Sequence, residues 1–333
     1  MLDGLTHEQQ MLQESTRRFV DEEMLPHEDI VDREGHVPIE LGRQIESRAK
    51  EVGLFAANLP ENVGGGGLDY TSMAVIEREF GRTSHALHAW VARPTELLLA
   101  TEGGQKEHYL DACVTGAKRE LFALSEPEAG SDIMSMKSHA KRDGDDWILN
   151  GSKHFISGPL MPDFAIVFAI TGHDETPRGP RPRITAFLVD VGMPGFDIQV
   201  GYNCVSYRGY LNFKLDFDNV RLSPYHILGE EGRGLELSGK WLGMGRIWVG
   251  ATCCGKAERL FEMATSWAAE RKQFGQAIGK FQATGFKLAD MAVELRAADL
   301  LVKDAISKAD QAVMTDSDAA MVKLYCSEML NRV

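Results

Sequence analysis

Phe122-Ala123-Leu124-Ser125-Glu126-Pro127-Glu128-Ala129-Gly130-Ser131-Asp132 marks the place where the character of the chain changes. Its first residues read as a strand. The remainder reads as a loop rich in hydroxyls and exposed backbone amides, able to bond the polar edge of a heterocycle or a phosphate. Ser125-x-x-Glu128 also matches a helix capping box, but Ala129-Gly130-Ser131 argues against a helix following it. On local physics alone this is a polar loop after a strand.

Working upstream, Leu5 to Phe122 reads as helices. Met11, Thr16, Phe19 and Val20 fall near one face of the first, a second covers Glu40 to Val52, and another runs from Thr71 to Phe80. Asn62-Val63-Gly64-Gly65-Gly66-Gly67 interrupts them as a loop, because consecutive glycines weaken any regular element. Downstream, Trp147-Ile148-Leu149 leads into Asn150-Gly151, which predicts a two-residue hairpin turn. Phe164–Ile170 and Ile184–Val191 predict strands from their branched and aromatic residues, with Gly172 to Pro182 as a polar loop between them. Phe213, Leu215 and Phe217 alternate with polar residues, as in a half-buried strand.

Helical spacing returns after Gly234. Leu260, Met263, Ala264 and Trp267 form one stripe, and Leu288, Met291, Leu295, Ala298 and Val302 another. These predict long antiparallel helices with a short link at Phe274–Gly279, and a third helix from about Asp316. Three helices leave apolar stripes without partners. The order helices, strands, helices predicts an α+β multidomain fold and not a doubly wound sheet. It comprises an N-terminal helical domain (1–120), a middle antiparallel β domain (121–232) and a C-terminal helical bundle, incomplete here (233–333).

The 333 residues are 44% hydrophobic and 26% charged, the composition of a globular protein with a sizeable core. A net charge of -13 excludes a nucleic-acid backbone as a general partner. No stretch reaches the ~18 unbroken apolar residues of a membrane span, and Met1–Arg18 does not read as a secretory signal. Cys113, Cys204, Cys253, Cys254 and Cys326 are odd in number and scattered, which suggests reduced thiols. Cys253-Cys254, in an apolar helix, reads as two small buried thiols. The histidines form neither HExxH nor a His/Cys cluster, so no metal is expected. Gly229-x-x-Gly232-x-Gly234 is no dinucleotide fingerprint, since it does not follow a parallel strand.

The opening stretch resembles the acyl-CoA dehydrogenase signature [YF]-x-[VL]-[TS]-E-P-x-A-G-S-D. Further resemblances follow in family order. Leu59-Pro60-Glu61 with Gly64–Leu68 is similar to the PExxGGxG loop. Leu149-Asn150-Gly151-Ser152-Lys153-His154-Phe155-Ile156-Ser157-Gly158 is similar to LNGxKxxIxxG. Phe217–Arg221 and Leu228–Gly234 resemble the stretch that joins β domain to bundle. Arg271-Lys272-Gln273-Phe274-Gly275 with Ile278 and Gln282 resembles RxxFGxxIxxxQ. Together they cover nearly the whole chain.

The resemblance implies FAD held between β domain and bundle, and oxidation of an acyl-CoA to trans-2-enoyl-CoA, with a proton leaving Cα and hydride passing from Cβ to flavin N5. Phe122, Leu124 and Ser125 are implied to contact the isoalloxazine ring. Gly130 and Ser131 would lie by the pyrophosphate and the thioester arm, and Phe155, Ile156 and Ser157 would back the ring. Where the family often has Trp, this chain has Phe155, which keeps the packing and loses an N–H donor. Arg271, Gln273, Phe274, Ile278, Phe281 and Gln282 are implied to reach the ADP half of FAD in a neighbouring subunit, which requires a homodimer or a homotetramer. Arg suits phosphate through its planar fork.

Ser131, Met244 and Arg246 are the implied substrate contacts, and Met73, Leu87, Trp90 and Thr95 are candidate acyl-pocket walls. Electron-transfer flavoprotein is the implied acceptor. The compartment implied is the cytoplasm, or the mitochondrial matrix or peroxisome in a eukaryote. The family base is a carboxylate, needed because a thioester α-proton is weakly acidic. Of its two family positions, one falls here on Gly245, within the GxGR variant Gly243-Met244-Gly245-Arg246. The other is expected beyond Val333, since Cys326–Val333 resembles the middle of the third bundle helix. Two alternatives stand beside the dehydrogenase reading. One is a non-catalytic or partner-completed flavin-binding subunit, and the other a flavin oxidase or monooxygenase on the same fold.

Overall fold

The computed structural model describes residues 4–177, 179–205 and 207–333, with only the backbone of Lys240. The helices before the sheet are α1 (His7–Glu23), α2 (Glu28–Glu34), α3 (Ile39–Glu51), α4 (Tyr70–Phe80) and the short α5 (His85–His88) and α6 (Ala112–Val114). The strands are β1 (Glu120–Ala123), β2 (His139–Asp143), β3 (Asp146–Gly158), β4 (Phe164–Thr176), β5 (Gly179–Asp190), β6 (Phe196–Val200), β7 (Leu211–Leu222) and β8 (Ile227–Leu228). Then follow α7 (Gly234–Glu270), the small hairpin β9 (Lys272–Gln273) and β10 (Gln276–Ala277), α8 (Gln282–Asp310) and α9 (Asp316–Arg332). The chain divides into two compact units, one of residues 29–67 and 89–241, the other of the remaining residues, 4–28, 68–88 and 242–333 among those described.

The first unit is built on a sheet of order β6-β7-β3-β2-β4-β5-β8, with β1 added to β4. Alternating apolar residues of β3, β4, β5 and β7 (among them Trp147, Leu149, Val167, Phe187, Phe213 and Leu215) form its core. One edge of β4 changes partner partway. β1 pairs with Phe164–Val167 and β2 meets Ile170. Residues 124–138 must therefore leave the sheet at this gap and return to the same edge, which is how the signature loop arises.

Two sequence expectations fail here. Asn150-Gly151 is not a turn. The β2–β3 hairpin turns at Gly144-Asp145, where Asp143 pairs with Asp146 and Gly144 takes φ +65°. The strand β3 runs straight through Asn150. That side chain accepts a hydrogen bond from Asn219 N across the sheet at 2.9 Å, beside a bulge in β7 where Asn219 has φ +53°. Gly151 is required for a different reason: its φ is +136°, and a Cβ there would meet Ser138. Nor is Gly172–Pro182 a loop. β4 continues to Thr176 and β5 restarts at Gly179, while Arg178 lies outside the described residues. Pro180 and Pro182 are tolerated because β8 covers β5 only at Ala186 and Phe187, leaving that edge open.

In the second unit, α1 begins at a Thr6/Gln9 capping box and α4 at Asp69, which caps Ser72 N. α4 is buried along most of its length, including Glu77, Arg78 and Glu79. Arg78 bonds both oxygens of Asp299 on α8 at 3.1 Å and Glu258 on α7 at 2.8 Å. α4 and α7 touch backbone to backbone, since a Cβ on Gly255 would collide with Arg78 O. Cys253 and Cys254 are buried free thiols, as the sequence suggested, and so is Cys326. The stripe from Leu260 to Trp267 is different: Leu260, Met263 and Trp267 are exposed, as are Phe286 and Val293 on α8. No helix among the described residues is long and apolar enough to cross a membrane.

Candidate functional site

The loop 124–138 and strand β3 are locked together by one buried ion pair that the sequence reading quoted but gave no role. Lys153 is 1% exposed, and its Nζ donates to Glu126 Oε1 at 2.7 Å and to Leu124 O at 3.0 Å. Glu126 also accepts from Lys137 N at 2.6 Å and Ser138 N at 3.0 Å. Burial resists ionisation of the Glu126 carboxyl, but the Lys153 ammonium and these backbone donors hold it below the ordinary carboxylate range. His154 N donates to Ser125 O at 3.0 Å, and Glu126 and Ala129 bond each other through their backbones. No α-helix follows Ser125; the loop holds only one 3-10 turn, Ile133–Ser135. The signature glutamate and the LNGxK lysine thus act as a clamp that places Ser125 alongside the strand carrying Phe155 and Ser157.

Phe155 is the extra residue of a bulge in β3, where Lys153 pairs with Leu215 and Ile156 already with Phe213. It adopts φ +55°, costly for a bulky residue. The residue is 56% exposed and its ring lies 4.8 Å from that of Tyr202. Beyond the bulge the facing of the strand shifts. Ile156 drops into the sheet core, so only its backbone can face a cofactor, whereas Ser157 is half-buried and bonded to Asn212 Nδ2 at 3.1 Å. Phe122 lies 4.4 Å from Trp241 and 5.0 Å from Phe168. Leu124 is buried, while Gly130 and Ser131 are exposed, with open space around Gly130. Trp90 and Thr95 are core, the indole packed directly over Gly42. A cleft of about 280 Å³ is lined by Tyr202, Tyr207, Arg208, Tyr210 and Asn212 among others.

The other predicted residues lie in the second unit. Phe274 and Gly275 form the turn of the β9–β10 hairpin with φ +50° and +77°. Phe274 is 93% exposed; Arg271, Gln273 and Gln282 are exposed, and Ile278 and Phe281 half-buried. Ile278 N closes the hairpin onto Arg271 O at 2.8 Å. On α7, Met244 is buried, Gly245 half-buried and Arg246 exposed; Met73 and Leu87 are core.

Three family models match in order: the acyl-CoA dehydrogenase N-terminal domain over residues 6–117, the middle domain over 121–220 and the C-terminal domain over 232–333. The chain belongs to the acyl-CoA dehydrogenase family. It is 34% identical to a 3-(aryl)acrylate reductase of Clostridium sporogenes, over 97% of this chain and 85% of the relative. It is 33% identical to subunit CarC of the caffeyl-CoA reductase-Etf complex of Acetobacterium woodii, over 98% and 86%. Among solved structures, a glutaryl-CoA dehydrogenase of Mycobacterium smegmatis in complex with FADH2 superposes with TM-score 0.86 at 26% identity, over 98% of this chain and 82% of that one. FAD is the family's cofactor, and the residues here fit it. An exposed aromatic ring on a strained bulge, a hydroxyl at Ser157, a polar loop with open space at Gly130 and the buried Oδ1 of Asn212, unpartnered among the described residues, all belong to the sheet unit.

Proposed function

We propose that this acyl-CoA dehydrogenase family member carries out FAD-dependent α,β-dehydrogenation of an acyl-CoA thioester to the trans-2-enoyl-CoA. The observation that carries this reading is the Lys153–Glu126 clamp, which brings the two flavin motifs into one rigid arrangement. In it, Phe122, Leu124 and Ser125 meet one part of the isoalloxazine ring, and Phe155, the Ile156 backbone and Ser157 back it. Gly130 and Ser131 leave room for the pyrophosphate and the thioester arm; on α7, Met244 and Arg246 are the further residues we assign to substrate. Bound FAD supplies a two-electron acceptor for the hydride leaving Cβ. Arg271, Gln273, Phe274, Ile278, Phe281 and Gln282 hold the ADP half in a neighbouring subunit, so the working form is a homodimer or a homotetramer. Gly245 cannot take the α-proton, and we assign the base to none of the carboxylates described above.

The names of the relatives favour a second direction for the same chemistry, reduction of an enoyl or aryl-acrylyl thioester, and electron-transfer flavoprotein as the redox partner. Anaerobic titration of the purified protein with saturated acyl-CoAs of increasing length, following flavin absorbance, tests both. Bleaching by one chain-length class is the expected result for dehydrogenation. Recovery of absorbance when enoyl-CoA is added to dithionite-reduced protein supports the reductive direction. A flavin that responds to neither sinks the catalytic reading, and a protein that holds no flavin sinks the site.

A further inference from the structure

Ser157 and Asn212 are directly opposed across the β3–β7 ladder. Asn212 is 7% exposed and its Nδ2 donates to Ser157 Oγ at 3.1 Å, while its buried Oδ1 has no hydrogen-bond partner among the described residues. An orphaned buried acceptor is costly, and a leucine at this strand position would avoid that cost. Among the described residues the amide has one hydrogen-bond partner, the Ser157 hydroxyl. A hydroxyl has one proton and two lone pairs. With one lone pair taken by Asn212, the proton is turned away from β7. Its one internal acceptor among the described residues, Phe155 O, lies at the 3.5 Å limit of a hydrogen bond. The proton is therefore available to a group outside the sheet.

We propose that Asn212 is a positioning residue: it fixes the Ser157 hydroxyl so that its proton is donated to the flavin, and thereby raises the flavin's reduction potential. The inference rests on the FAD reading above. A donated hydrogen bond favours the more electron-rich reduced ring over the oxidised one.

The test is the two-electron reduction potential of the bound flavin, measured by anaerobic dye-linked titration in wild type, Asn212→Leu, Ser157→Ala and the double variant. Asn212→Leu is expected to weaken the preference for reduced flavin about tenfold, a fall of about 30 mV. The double variant is expected to fall no further than Ser157→Ala alone. Asn212→Asp, nearly identical in shape, reads out the same point if the leucine variant misfolds. Its carboxylate accepts the Ser157 proton instead of donating, so the potential must fall again. An unchanged potential in whichever Asn212 variant folds, or additive effects in the double variant, overturns the proposal while leaving the site intact. A wild-type protein without flavin would instead refute the FAD reading on which it rests.

Discussion

A general base has to come within hydrogen-bond reach of the thioester α-proton, and Gly245 stands at one of the two places where the resemblance puts it. Among the described residues, nothing beyond the helix's own backbone lies within 4 Å of a Cβ built on Gly245, and the residue sits inside α7, where glycine costs about 1 kcal/mol against a good helix former. Gly245→Glu should therefore fold at least as well as wild type. If a base is what limits this chain, the variant should bleach its flavin with acyl-CoA about 10²-fold faster or more, with Gly245→Gln as the uncharged control. Equal rates for the two variants in anaerobic stopped flow would show that Gly245 is not a base position here. At this scale the motifs singled out Phe155 and Ser157 as candidates. They did not disclose Asn212 or the Lys153–Glu126 pair. A lysine and a glutamate read along the chain look like solvated charges, and only the return of the loop to the edge of β4 buries them against each other.

Elements were legible where a single period ran uninterrupted. The alternation of β7 and the reach of α8 were recoverable, because each follows from one buried face. The misreadings fell where backbone geometry departs from its period: the bulges at Asn219 and Phe155, and the open edge of β5 that accepts prolines. The β9–β10 hairpin belongs to the same class. Both of its turn residues have positive φ, the type I′ pattern that favours Asn-Gly, yet the first is Phe274, almost fully exposed. Keeping a strained phenylalanine in water makes sense if another subunit covers it. Phe274→Asn should leave the melting temperature unchanged or raise it by a few degrees, since asparagine tolerates this conformation. The same change should weaken FAD retention by about tenfold, the loss of roughly 1.4 kcal/mol of aromatic contact. Light scattering and flavin release on dilution would check it, and undiminished FAD retention would remove Phe274 from the cofactor site.

Each of the two units has desolvated carboxylates that depend on neighbouring cations, and this couples the stability of the molecule to pH. In the sheet unit, burial opposes ionisation of Glu126 and Glu46, but Lys153 for the first and Lys50 and Arg119 for the second hold them below the ordinary range. In the helical unit, Glu258 and Asp299 are likewise desolvated, and Arg78 lowers both. Glu96, raised by burial, works in the opposite sense. A carboxyl whose folded pKa is depressed contributes stability that is fully present above its unfolded value, about 4. That stability is lost as pH falls through the folded value. The four depressed groups outnumber the raised one, so the melting temperature should be insensitive to them from pH 8 down to about 5 and should drop steeply below about 4. Lys153→Met separates this from general acid damage. Leaving Glu126 buried without its cation should cost about 3–5 kcal/mol at neutral pH. Its carboxyl, no longer held down, should protonate at higher pH and so relieve the buried charge, and the deficit of the variant against wild type should shrink as pH falls, giving an acid limb shallower than in wild type. Differential scanning calorimetry across pH 3–8 reads both effects. A Lys153→Met profile parallel to wild type would mean that the pair clamps the two flavin motifs sterically and not through charge, and the electrostatic account of the site would have to be given up.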